Sequence, residues 1–143
     1  MKYFTIAELS NSATAKRKGI DNTPSREVVR NLTALTDNVL DPLRDAWGRP
    51  ITVSSGYRSP RLNLAVGGVK TSQHQEGKAA DLVAGSREDN YKLFQLAIKL
   101  KLPYDQIIWE KTATATWVHI SYDPARNRRQ ILPESEAAKR YLL

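Results

Sequence analysis

The sequence has no cysteine and only two histidines, His74 and His119. Without cysteine there is no disulfide scaffold, cysteine-based zinc site, iron–sulfur cluster, thiol nucleophile or redox pair. Chemistry that needs histidine must therefore run through one or both of those positions. Long apolar runs are missing as well, and no stretch approaches the roughly 18–20 residues needed to span a bilayer. The first residues, Met1 to Glu8, lack the apolar segment of a secretory signal. The expectation is a chain made in the cytoplasm, with no signal peptide and no membrane span.

What is present is an ordinary globular balance: 41 % hydrophobic and 26 % charged residues over 143 positions suit one domain with its own core. Twenty-two basic against 15 acidic side chains give +7, which points to an anionic partner such as nucleic acid, a membrane surface or a wall polymer. A merely basic surface accounts for the charge equally well, because the cations cluster only at Lys16-Arg17-Lys18 and at Arg126, Arg128 and Arg129. No helix-turn-helix or other nucleic-acid signature accompanies them, so no nucleic-acid partner is expected.

Thr5 and Glu8 form a capping box for a short helix that Gly19 ends. Thr23-Pro24 reads as N-cap and first residue of a long helix. Its stripe of Val28, Val29, Leu32, Leu35, Val39, Leu40, Leu43 and Trp47 should be bent or interrupted at Pro42 and stopped at Gly48. Strands are expected at 51–54 and 79–83. A second helix capped by Ser86 and Asp89 carries a stripe of Tyr91, Phe94, Leu96, Ala97 and Ile98. A hairpin of 105–110 and 116–122 follows, then a short strand at 129–132 and a small helix from Glu134. The fold class is α+β, a small antiparallel sheet with helices packed on it.

In Trp117-Val118-His119-Ile120-Ser121 the strand period sends Val118 and Ile120 to the core and His119 to the open face. A lone strand histidine is more often solvated or hydrogen-bonded than a ligand. His74 lies in a polar segment that reads most simply as a surface loop. Were that segment helical, His74 and Asp81 would lie roughly 10 Å apart along the axis. Ligands of one zinc ion must each come within about 2.0–2.2 Å of it. Joint ligation thus demands a chain reversal, which Gly77 permits. Two histidines and one aspartate would be a three-ligand set with room for water, the usual layout of catalytic zinc.

The run Ser72-x-His74-x-x-Gly77-x-Ala79-x-Asp81, followed by Trp117-x-His119, resembles the zinc D-Ala-D-Ala peptidases. These include carboxypeptidases and phage-type L-alanyl-D-glutamate endopeptidases. Ser55-Gly56-Tyr57-Arg58-Ser59-Pro60 and Asn63-x-Ala65-x-Gly67-Gly68 fit the same pattern. The resemblance covers about residues 4–122 of a single peptidase-like domain spanning 1–143, with 123–143 as a C-terminal extension. It implies one zinc ion held by His74, Asp81 and His119 on the open face of the sheet. It also implies that Arg58 contacts substrate, whereas a plain reading makes it a surface arginine. Ser72 either bonds substrate or steadies its own turn. Such an enzyme would hydrolyse an amide bond in peptidoglycan stem peptides as a monomer, after release or as part of a virion.

The general base is where the chain departs from the pattern. Many relatives carry an acid three positions before the last histidine ligand, and here that position is Thr116. One branch, which this chain resembles more closely, has an acid at the end of the preceding strand. That implies Glu110 as the base, on the face of Gln106, Ile108 and His119, although a one-residue slip of register would turn it away. Asp105 is a weaker substitute. The alternative to an enzyme is a non-catalytic wall-binding or virion module on the same fold, supported by Thr116. Trp117 could wall a pocket; Trp109 and Tyr57 are equally well explained as packing residues.

Overall fold

The computed structural model describes residues 1–139, so the last four residues of the 123–143 extension lie outside the described part. Its elements run α1 (Ile6–Ser10), α2 (Ala13–Lys18), α3 (Arg26–Leu35), a π-helical turn (Thr36–Leu40), α4 (Asp41–Trp47), β1 (Thr52–Ser55) and α5 (Pro60–Ala65). A 3₁₀ turn (Gln73–Glu76), β2 (Ala79–Val83), α6 (Arg87–Lys99), β3 (Gln106–Lys111), β4 (Thr116–Ser121), β5 (Gln130–Leu132) and α7 (Glu134–Lys139) follow.

The α+β expectation holds. The sheet order is β1-β2-β4-β3-β5, with the first four strands antiparallel and β5 added parallel to β3. One face is apolar because alternate residues of the central strands, Leu82, Ile107, Val118 and Ile120, all point into the core. There they join Leu32, Leu35, Leu40, Leu43 and Phe94 from the helical layer. Helix α6 packs beneath β3 and β4 and also touches α4. The opposite face carries the polar positions, and the chain between β1 and β2 folds over it.

Local chemistry explains the helix ends, including three departures from the sequence reading. The first helix is two: Ser12 caps α2 by accepting from Ala15 N, and Gly19 closes it at φ 65°. The long helix starts at Ser25 rather than Thr23. Ser25 accepts from Val28 N, while the Thr23 amide is taken by Asp21 Oδ1. The interruption expected at Pro42 is a π turn in which Asp41 N reaches back to Thr36 O, just ahead of the residue that lacks an amide donor. In α6, Leu93 is fully buried beside Phe94 and Ala97, while Leu96 and Ile98 are only half-buried.

Candidate metal centre

The site is assembled by strand register and one tight turn. Asp81 on β2 lies directly opposite His119 on β4, which lies opposite Ile108 on β3. All three side chains therefore rise on the same, non-core face. His74 comes from the 3₁₀ turn, capped by Ser72 Oγ accepting from His74 N at 3.2 Å. Gly77 closes the turn at φ 73°, and a Cβ there would sit 2.8 Å from Val28 O on α3. The position thus needs glycine for both conformation and space.

His74 is 2 % exposed and fully oriented. Its Nδ1 lies 2.7 Å from Gly56 O; a carbonyl only accepts, so Nδ1 carries the proton and Nε2 presents a lone pair. That Nε2 is 3.3 Å from Asp81 Oδ1, and His119 Nδ1 is 3.0 Å from the same oxygen. Ligands of one tetrahedral zinc at about 2.0–2.1 Å are separated by about 3.3 Å. Two donor pairs thus already have the spacing of ligand edges, and one candidate atom from each residue lies within 4.8 Å of the others. The donor set fits a borderline metal such as zinc. Burial works to raise the Asp81 carboxyl, but the neighbouring His119 and His74 outweigh it and hold the group well below the usual carboxylate range.

These three residues line a cleft of about 450 Å³ with Arg58, Ser72, Ile108, Glu110, Trp117 and Arg128. The structure therefore brings the three candidate ligands together with Arg58, Ser72 and Glu110, while Asp105, Thr116, Trp109 and Tyr57 are not part of the cleft lining. Glu110 pairs with Trp117 in the hairpin, two residues along β3 from the Ile108–His119 pair and so on the same face, and its Oε2 accepts from Trp117 Nε1 at 2.9 Å. Arg58 is half-buried, with Nη2 3.4 Å from Ser72 Oγ and a buried Nε that has no hydrogen-bond partner. Its backbone N–H donates to His74 O, which ties this arginine to the ligand turn. Thr116 faces the other way: it is buried and accepts from Asn90 Nδ2 on α6 at 2.9 Å. An acid at that position in this chain would not reach the cleft.

Asp105, the weaker candidate base, is fully engaged elsewhere. It accepts from Arg128 N, Nε and Nη2 at 2.8, 2.9 and 2.9 Å and from Gln73 Nε2 at 2.8 Å. The Arg128 hydrogen bond is the main reason its carboxyl is held down at about 2. Such a group stabilises the fold fully above its unfolded value near 3.9, and that contribution is lost as pH falls through about 2. Asp105→Asn should therefore lower stability by about 1 kcal/mol at neutral pH, a figure reduced for the solvent-exposed side of Arg128. Chemical denaturation of both proteins from pH 7 to 2 should show the gap closing at the acid end. Sequence reasoning missed Arg128 at the cleft and Asn90 beneath it. The arginines at 126, 128 and 129 are a visible signal of charge, but their spacing does not show which of them meets the cleft.

A sequence model of the peptidase M15 family matches residues 2–121. The chain belongs to that family. Its M15 match takes in all three candidate ligands as well as Arg58, Ser72 and Glu110. The chain is also 40 % identical over 85 residues to the zinc D-Ala-D-Ala carboxypeptidase of Streptomyces albus G. That alignment covers 59 % of this chain and 32 % of the relative, so the M15 chain described here spans about a third of that protein's length.

Proposed function

We propose that this M15-family chain is a zinc-dependent peptidase that hydrolyses an amide bond in peptidoglycan stem peptides. The observation that carries the reading is the convergence of His74 Nε2 and His119 Nδ1 on one Asp81 oxygen at the floor of a cleft. His74, Asp81 and His119 would hold the ion, which when bound supplies Lewis acidity toward a carbonyl and toward water. Glu110 takes a proton from the attacking water and returns it to the leaving amine. Trp117 Nε1 holds one Glu110 oxygen, which leaves the other to move the proton. Arg58 offers its fork to a substrate carboxylate or to a carbonyl beside the scissile bond, and Ser72 steadies both Arg58 and the His74 turn. Together these groups fix the substrate where the reaction needs it.

Helices and sheet share one apolar core, which supports reading 1–143 as a single peptidase-like domain. No helix of the described residues is long and apolar enough to cross a membrane. The relative's name favours D-Ala-D-Ala carboxypeptidase action, and the endopeptidase alternative cuts between L-Ala and D-Glu. The alternative, a non-catalytic module, rests on Thr116; that side chain is buried under the sheet against Asn90, which supports seeking the acid at Glu110 instead. Incubating purified peptidoglycan with zinc-loaded protein should release new amino termini. Release should stop on chelation and return with zinc, and mass analysis of the products names the bond. No release by fully zinc-loaded protein would sink the enzyme in favour of the module.

A further inference from the structure

The cleft holds a second guanidinium that the reading above does not use. Arg58 follows β1 and Arg128 precedes β5, so the two cations approach the His74–Asp81–His119 group from opposite edges of the sheet. Arg128 is held in place. Its Nε and Nη2 grip the two oxygens of Asp105, which is 4 % exposed in its side chain, while Arg128 is 43 % exposed. Asp105 is anchored in turn by its backbone, through Asp105 N to Ser121 O and Gln130 N to Asp105 O. The next residue, Arg129, stands at φ 54°, a left-handed conformation that a branched-free but bulky side chain rarely adopts. It turns the chain into β5 directly after Arg128 has been directed at the cleft.

A bidentate pair commits only one edge of a guanidinium. Arg128 Nη1 has no hydrogen-bond partner among the described residues, and it belongs to a side chain that lines the cleft. A surface arginine free to move would lose most of its worth as a binding group in side-chain entropy; one clamped by a buried carboxylate does not. The same carboxylate accepts from Gln73, next to His74, so the clamp and the ligand turn are one hydrogen-bonded unit.

We infer that Arg128 is a specificity-determining residue that binds a second substrate carboxylate, across the metal centre from the group taken by Arg58, with Asp105 as its positioning residue. The site therefore selects peptides that carry a carboxylate on each side of it. This inference rests on the proposed peptidase reading for the nature of the ligand, but its test does not require turnover.

The test uses the zinc-loaded Glu110→Gln protein and the stem-type pentapeptide L-Ala-γ-D-Glu-L-Lys-D-Ala-D-Ala, whose D-Ala-D-Ala bond lies between its two carboxylates, with those carboxylates amidated one at a time. Dissociation constants are measured by calorimetry. Amidating either carboxylate should weaken binding about tenfold, as the loss of a charge-assisted hydrogen bond does. Arg128→Gln should abolish sensitivity to one of the two amidations and keep sensitivity to the other. Arg58→Gln should show the reverse pattern. Asp105→Asn should give part of the Arg128→Gln effect, and the peptide amidated at the Arg128 end should bind all these Arg128 and Asp105 variants as it binds the parent, which separates lost recognition from a damaged fold. Arg128→Lys, which keeps the charge, serves if the glutamine variant does not fold, and should retain a reduced preference. The inference is overturned if both amidated peptides bind the parent as tightly as the free acid, if no peptide binds, or if Arg128→Gln leaves both sensitivities intact. Crossed sensitivities together with no peptidoglycan cleavage by the wild-type protein would leave Arg128 recognition standing and the hydrolase reading refuted.

Discussion

Asp81→Ala should remove zinc binding and hydrolysis together, with zinc affinity and activity each falling by roughly a thousandfold or more. The size follows from where its carboxylate stands. One oxygen, Oδ1, is the point on which both histidine nitrogens converge, at 3.0 and 3.3 Å. Losing a group that merely supports a ligand costs about 10–100-fold in metal affinity. Losing the anionic ligand itself leaves two neutral imidazoles, and the effect must be larger. Asp81→Asn sharpens the comparison, because it keeps the shape and removes the charge. Both variants should fold, since neighbouring Ala80 and Leu82, not Asp81, supply the core side chains of β2. Metal content after dialysis gives the first readout. The second is thermal unfolding: wild-type protein should gain stability on adding zinc, as any ligand bound only by the folded state requires, and the variants should not. A variant that holds stoichiometric zinc through dialysis would show that the ion sits elsewhere.

The parts of the site that could be read from the sequence are those governed by a period or by a single special residue. The two-residue strand repeat places His119, Glu110, Ile108 and Gln106 on one face and Val118, Ile120 and Ile107 on the other, and the register shows that division. Gly77 signals the reversal that returns His74 to Asp81, because only a residue without Cβ suits both the left-handed φ and the packing against Val28. The hairpin register had no such local marker. Its loop is 112–115, tied by Thr112 N to Ala115 O and by Thr112 Oγ1, and this sets Glu110 opposite Trp117.

Long-range polar pairing left no pattern at all. Asp105 and Arg128 meet only because β5 is laid beside β3, and Asn90 bridges Ala84 N and Thr116 from within an otherwise apolar helix face. Neither could be inferred from spacing, because the partners are set by tertiary contact and not by a helical or strand repeat. The caps show the same limit on a smaller scale. Thr23 and Ser25 are both good N-cap residues, and the hydrogen bond from Val28 N to Ser25 Oγ, which only the folded chain reveals, makes Ser25 the cap.

Glu110→Gln should lower kcat by about 10²–10⁴-fold, the range supplied by a positioned general base, while zinc content stays at the wild-type level. KM should change far less, because the variant keeps the shape of the cleft and the hydrogen bond that Trp117 Nε1 donates to residue 110. Trp117→Phe should give a smaller loss in kcat, since it removes only that hydrogen bond and leaves the carboxylate free to wander. Adding Thr116→Glu to Glu110→Gln tests the geometry directly. If an acid at position 116 could reach the cleft, the change would be a rescue. Here residue 116 is buried beneath the sheet against Asn90, so the double variant should regain no activity and should also be less stable, with a charge forced into the space below β4. Steady-state rates, metal content and thermal midpoints for the three proteins decide the matter. Recovery of activity in the double variant would mean that an acid at 116 can reach the cleft. Full activity in zinc-loaded Glu110→Gln would take the proton away from Glu110 altogether, and Asp105, locked by Arg128, is not placed to take it over.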